Sequence, residues 1–226
     1  MKKVYTGKTK DVFELTDGNY KLVFKDDMTG EDGVFDPGAN TVGLTVDGAG
    51  TAGLKMSAYY FSLIEKKGFK THYVSSEENQ MTVRPCSVFG KGLEVVCRYV
   101  ATGSFIRRYG DYIEDGTSLD AVVEMTLKDD DRGDPLITED SLVALGILEA
   151  GAYETIKAAM KNICAVIKSD LAERNLELLD IKLEFGKSKQ GELMLMDEIS
   201  GGNMRVTKDK KALHPLELAE IVLGTL

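Results

Sequence analysis

The chain has 226 residues, 43% hydrophobic and 29% charged, and its 37 acidic and 28 basic side chains leave a formal net charge of −9. That average field repels polyanions and argues against nucleic acid as a partner, and two histidines (His72 and His214) exclude a multi-histidine metal centre. No apolar run approaches the ~18 residues a membrane-spanning helix needs, and Met1-Lys2-Lys3-Val4 lacks an apolar signal core, so a cytoplasmic location is expected.

Residues 11–15 and 20–24 alternate in hydrophobicity around the turn-forming Thr16-Asp17-Gly18-Asn19, which predicts a β-hairpin. Residues 30–53 hold seven glycines and read as loop or loosely formed ribbon. A helix is predicted from about Leu54 to a cap at Gly68, with Leu54, Ala58, Phe61 and Ile64 on one face. Residues 70–74 and 81–84 read as strands, and Pro85 marks a hinge. Residues 93–99 form a further strand, and residues 111–140 look polar and irregular. The clearest helix covers 149–174, with Tyr153, Ile156, Met160, Ile163, Ile167 and Leu171 in one stripe. A hairpin then pairs 179–185 with 193–198. Cys86, Cys97 and Cys164 show no CxxC spacing and suit buried thiols in a reducing compartment.

Strand 179–185 carries the most pointed chemistry. Leu179, Ile181, Leu183 and Phe185 alternate with Asp180, Lys182 and Glu184, so three charges line one face over about 13 Å. Read alone, this is a half-solvated antiparallel strand. The nearby Asp197-Glu198 offers more carboxylates to the same surface, and such a group around a lysine suits a Mg²⁺-nucleotide site.

Gly7-Lys8-Thr9 is not a P-loop, because Lys2 stands where that motif needs its first glycine. Lys8 and Lys10 share a face around a flexible glycine, as phosphate ligands or as solvated edge-strand lysines. Gly48-Ala49-Gly50-Thr51-Ala52-Gly53 spells GxGxxG, but the βαβ rhythm of a dinucleotide fold is missing. Gly48 and Gly50 therefore read as loop glycines, where alanine should leave ATP affinity nearly unchanged. Arg98, Arg107 and Arg108 flank Ala101-Thr102-Gly103-Ser104, either as guanidinium forks for an anion or as a surface turn. Lys128-Asp129-Asp130-Asp131 is either a solvated loop or a metal-binding one.

Taken in order, several segments resemble the SAICAR synthetases. They are Tyr5-Thr6-Gly7-Lys8-Thr9-Lys10-Asp11-Val12-Phe13, Glu94-Val95-Val96-Cys97-Arg98 with Ala101-Thr102-Gly103-Ser104-Phe105, Lys128-Asp129-Asp130 with Gly133-Asp134-Pro135, Asp180-Ile181-Lys182-Leu183-Glu184-Phe185-Gly186, and Asp197-Glu198-Ile199-Ser200 with Arg205. The resemblance implies a two-lobed α+β fold, with an antiparallel-sheet ATP lobe over residues 1–84 and a larger mixed lobe over 85–226. It implies an ATP-dependent ligase that joins carboxyaminoimidazole ribonucleotide to L-aspartate through an acyl phosphate. Lys8, Lys10 and Glu184 would serve ATP, and Asp130, Glu184 and Asp197 would serve Mg²⁺. Arg98, Ser104 and Arg205 would hold anionic groups of the ribonucleotide or aspartate. Asp180, Lys182 and Asp197 would form the catalytic set, in an enzyme with small-molecule partners, no nucleic acid, no membrane and a possible homodimeric state.

The chain departs from the family pattern in three places. Gly201-Gly202-Asn203-Met204-Arg205-Val206 stands where the family carries Pro-Asp, two small residues, Arg and an aromatic pair ending in Trp. Ala49-Gly50 and Gly53-Leu54 replace a Lys-Gly pair and two asparagines, and the C-terminal segment is short. These departures leave open a paralogue that activates another carboxylate. A nicotinamide-dependent dehydrogenase and a nucleotide-binding module without turnover are the remaining readings.

Overall fold

The structure is a computed structural model and describes residues 1–39 and 41–224. It opens with three strands, β1 (Lys2–Thr6), β2 (Lys10–Glu14) and β3 (Tyr20–Phe24). The predicted hairpin is β2–β3, closed by a turn in which Asp17 accepts from the Asn19 amide at 3.0 Å. Strand β1 adds a third member that the sequence reading did not separate.

The glycine-rich stretch is more ordered than expected. It forms β4 (Asp27–Glu31), β5 (Val34–Phe35) and β6 (Val42–Thr45), a small antiparallel sheet in the order β5-β4-β6. Glycine is needed here for close approach. A Cβ on Gly43 would fall 2.3 Å from the Gly30 carbonyl carbon, and one on Gly30 would fall 2.1 Å from the Val34 carbonyl oxygen.

Helix α1 (Ala49–Lys66) begins five residues before the predicted start. Gly48 enters it at φ 83°, and Asp26 caps it by accepting from the Gly50 amide at 2.9 Å. Helix α1 buries Leu54, Tyr60, Phe61 and Ile64. Strands β7 (Tyr73–Glu77) and β8 (Gln80–Val83) follow and complete a five-stranded sheet in the order β1-β2-β3-β8-β7.

The remaining chain builds around a second sheet. It contributes β9 (Ser87–Val88), β10 (Leu93–Val100), helix α2 (Ser104–Tyr109), β11 (Ser118–Leu127), helices α3 (Glu139–Ala144) and α4 (Ala152–Ala172), β12 (Glu177–Lys187), β13 (Leu193–Met196), β14 (Met204–Lys208), β15 (Lys211–Ala212) and helix α5 (Pro215–Leu223). Seven strands form this sheet along β11-β10-β12-β14-β15, with β13 and β9 also on β12.

Strand β11 lies in the stretch read as irregular. Ser118, Asp120, Glu124 and Thr126 make it polar, and this disguised a strand in which Glu124 is neutralised by Arg98 of β10. One face of the sheet, with Val95, Cys97, Ile181 and Leu183, packs on α4 through Ile156, Met160, Ile163, Ile167 and Leu171. The other face is polar and carries the site. Near its start β12 breaks strict alternation. Its register against β14 shifts between Leu178 and Asp180, and Leu178 rather than Leu179 enters the core.

Every pairing between these strands is antiparallel. A dinucleotide fold requires a parallel sheet with helical crossovers, so the GxGxxG spelling is a helix entry and not a fingerprint. The reading of Gly50 as a loop glycine is also overturned, since it lies in the first turn of α1. A methyl there would stand 2.8 Å from the Lys25 carbonyl oxygen, where the first turn of α1 crosses the end of β3. Gly50→Ala is expected to lower the unfolding free energy by ~1–3 kcal/mol, measured by denaturant titration. Wild-type stability would contradict this packing.

Candidate active site

The register of the large sheet assembles the site. Across β10 and β12, Glu94 faces Glu184, Val96 faces Lys182 and Arg98 faces Asp180. Directly opposed residues on antiparallel strands share a face. The charged alternation of β12 therefore meets a second one, Glu94 and Arg98, and Arg205 joins from β14 opposite Asp180.

Two clefts open over this face. The first encloses about 1230 Å³, open mouth included, between the five-stranded sheet, α1 and the end of β12. Lys8, Lys10, Lys182, Glu184 and Asp197 all line it. The second, about 620 Å³, is lined by Arg98, Ser104, Asp180, Lys182 and Arg205. Pro37, Glu94, Lys182 and Asn203 line both, so the clefts meet where Lys182 Nζ pairs with Glu94 Oε1 at 2.9 Å. Asp130 lines neither cleft and reaches the first through Lys8, whose Nζ donates to it at 2.7 Å.

Charge in the first cleft is tightly coupled. Lys10 Nζ lies 3.2 Å from Asp197 and also pairs with Glu198, while Lys128 pairs with Glu184. Burial pulls both ammonium groups down, and the facing carboxylates more than reverse it, so both lysines stay above their ordinary range. Burial followed by the Asp197 charge pushes Glu184 up to about 7. Burial also acts to raise Asp197, but Lys10 and Lys128 outweigh it and hold that carboxyl below its ordinary value. Asp197 has a left-handed backbone, φ 67°, just past the end of β13. Behind it sits His72, which burial holds neutral with its pKa lowered to about 4.

The second cleft is organised by arginines. Asp180 Oδ2 accepts from Arg98 Nη1 at 2.9 Å and from Arg205 Nη1 at 2.8 Å. Burial pushes Asp180 up against the pull of Arg205 and Arg98. Arg98 also donates from Nε to Glu124 at 2.7 Å and from Nη2 to Ser104 at 2.8 Å. Gly103, at φ 55°, leaves room for the Arg205 guanidinium, since a Cβ there would lie 2.9 Å from its Cζ.

Sequence reasoning left Glu94, Glu124, Lys128, Glu198 and Asp36 unassigned. Glu94 could have been found from its own period-two pairing with Arg98. The others depend on cross-strand register or loop closure. The departures from the family pattern line the first cleft: Ala49, Gly50, Gly53 and the loop 200–203. Asn203 closes that loop, accepting from the Ser200 amide at 2.9 Å and donating to the Glu198 carbonyl at 2.7 Å.

Glu184 and Asp197 fit a Mg²⁺ ion that takes its other ligands from phosphates and water. They are oxygen donors in one cleft, and each raises the cost of the other's charge. No group of three ligand-type side chains forms among the described residues, so an all-protein cage is not what this geometry offers.

The raised pKa of Glu184 has a stability consequence. Ionising it costs more in the folded chain than in the unfolded one. Its contribution is therefore complete below about 4.5 and is lost as pH rises through about 7. In the ligand-free protein, the melting temperature of Glu184→Gln relative to wild type is expected to rise between about pH 5 and 8. A difference that stays constant across that range would contradict the shift.

A family model described as SAICAR synthetase matches residues 3–215. The chain is 53% identical to the phosphoribosylaminoimidazole-succinocarboxamide synthase of Clostridium tetani, over 99% of this chain and 100% of that one. It is 35% identical to the synthase of the same name from Finegoldia magna, over 91% of this chain and 85% of the relative. A solved structure described as SAICAR synthetase (Type-2) in complex with ADP superposes with a TM-score of 0.86 at 29% identity, covering 98% of this chain and 97% of that one. With an antiparallel α+β fold and two clefts meeting over one sheet face, the chain belongs to the SAICAR synthetase family.

Proposed function

We propose that the protein is the ATP-dependent ligase that joins carboxyaminoimidazole ribonucleotide to L-aspartate, giving SAICAR in purine biosynthesis. The observation that carries this reading is the junction of the clefts at the Lys182–Glu94 pair. Lysines and carboxylates suited to a nucleotide's phosphates lie on one side of it. Guanidiniums suited to an anionic substrate lie on the other.

A carboxylate is a poor acylating agent, and phosphorylation gives it a leaving group. ATP lies in the first cleft with Lys8 and Lys10 at its phosphates and Asp130 holding Lys8 in place. Arg98, Ser104 and Arg205 hold anionic groups of the ribonucleotide or aspartate, and Asp180 orients both guanidiniums. One oxygen of the substrate carboxylate attacks the γ-phosphorus and ADP departs. The aspartate amine then attacks the acyl carbon, the amide forms, and phosphate leaves with that carboxylate oxygen as the amine loses a proton. Lys182, at the junction, neutralises charge on the group in transit. Glu184 and Asp197 would hold Mg²⁺, which would supply further charge neutralisation there.

The reading places the enzyme in the cytoplasm. No helix among the described residues is long and apolar enough to cross a membrane, and the free thiols Cys86, Cys97 and Cys164 suit a reducing compartment.

Mg²⁺-dependent ADP release, with each substrate omitted in turn, tests the reaction. ADP and the succinocarboxamide product are expected only when ribonucleotide and aspartate are both present. ADP release that needs a different carboxylate would replace this reading with a paralogous ligase. Lys182→Ala and Asp197→Asn are each expected to cut turnover by ~10²-fold or more while the far-ultraviolet circular dichroism is retained. Wild-type rates in either variant would remove these residues from the catalytic set.

A further inference from the structure

Three of the four guanidiniums in the second cleft already have acidic partners. Arg98 spends its three nitrogens on Glu124, Asp180 and Ser104, and Arg108 is held by Glu124. Arg205 places Nη1 on Asp180 at 2.8 Å and Nη2 on Asp36 at 2.6 Å. Arg107 lines the cleft and is exposed, and its guanidinium makes no hydrogen bond or ion pair among the described residues.

Asp36 is the unexpected member. It comes from the loop after β5, across from the large sheet, and it uses the terminal nitrogen of Arg205 that an incoming anion would want. Its Oδ1 also accepts from the Gly38 amide at 2.9 Å, so its own turn fixes the carboxylate in place. The Arg205 guanidinium has little freedom to present that nitrogen elsewhere. A Cβ on Gly38 would lie 3.1 Å from Nη2 and one on Gly103 2.9 Å from Cζ, which puts backbone close against it at both positions. An oxyanion that binds the Nη2 hydrogen now given to Asp36 has to take the place of that carboxylate.

We propose that Asp36 is an internal anion occupying the substrate-anion site, and that a substrate oxyanion displaces it and binds between Arg205 and Arg107. The inference rests on the ligase reading of the second cleft and adds to it a competing acid and a further binding residue. The oxyanion is either the phosphate ester of the ribonucleotide or a carboxylate of aspartate, which share the chemistry two guanidiniums recognise.

The test uses the full chain with Asp36→Asn, Arg107→Ala and Arg107→Lys, and measures KM separately for ATP, ribonucleotide and aspartate. Asp36→Asn is expected to lower the KM of one anionic substrate by about three- to tenfold without moving that of ATP. Arg107→Ala is expected to raise that same KM by about tenfold, with partial rescue by Arg107→Lys. The substrate whose KM moves identifies the oxyanion. A KM that rises or holds still in Asp36→Asn would overturn the proposal. Calorimetry with inorganic phosphate alone separates this outcome from failure of the ligase reading. Even if the wild type does not turn over these substrates, Asp36→Asn is expected to bind phosphate at least about threefold more tightly. Equal or weaker phosphate binding would again overturn the displacement.

Discussion

The buried Asp180 carboxylate, clasped by Arg98 and Arg205, is the interaction on which the site depends. A carboxylate taken out of water is stable only if charge and hydrogen bonds replace its hydration, and removing one partner of such a pair typically costs ~3–5 kcal/mol. Here the partners come from the strands on both sides of β12. The chain of charges continues outward from Arg98 to Glu124 and Arg108, and from Arg205 to Asp36. It thereby ties β11, β10, β12 and β14 across one face, and the loop after β5 closes its end. Guanidiniums fixed in this way need little reorganisation when an anion arrives.

The first cleft follows a different logic. Its lysines and carboxylates are closely matched, yet burial and then the field of Asp197 leave Glu184 short of compensation. A polyphosphate would draw Lys8 and Lys10 toward itself, and a divalent cation would relieve the two carboxylates that Lys10 and Lys128 now attend. The ligand-free pairings are thus a set of exchangeable partners, and Lys182 stands where this set adjoins the arginine cleft.

Much of this was legible in the sequence, because β12 writes its two faces at period two and the helical stripe of α4 supplies the core that one of them needs. The assigned residues Lys8, Lys10, Lys182, Glu184 and Asp197 line one cleft, and Arg98, Ser104, Asp180 and Arg205 line the next. What escaped depends on register. Glu124 enters the site because it reaches Arg98 from β11, and Lys128 because it reaches Glu184 of β12 from just past the end of β11. Neither fact is local to its own segment. Glycine was misread for a related reason. Gly30, Gly43 and Gly50 mark places where backbone meets backbone, and composition alone cannot distinguish close approach from flexibility.

In the proposed reaction, a carboxylate in the arginine cleft attacks the γ-phosphorus of a nucleotide in the lysine cleft across the Lys182 junction. Turnover of ribonucleotide carrying ¹⁸O in both carboxylate oxygens, with the released phosphate analysed by mass spectrometry, tests that claim most directly. One ¹⁸O per phosphate is the predicted result, since the oxygen that attacks phosphorus departs with it when the amide forms. Phosphate without the label, released alongside ADP and amide, would mean that the carboxylate is never phosphorylated and that the junction does not do what its geometry indicates.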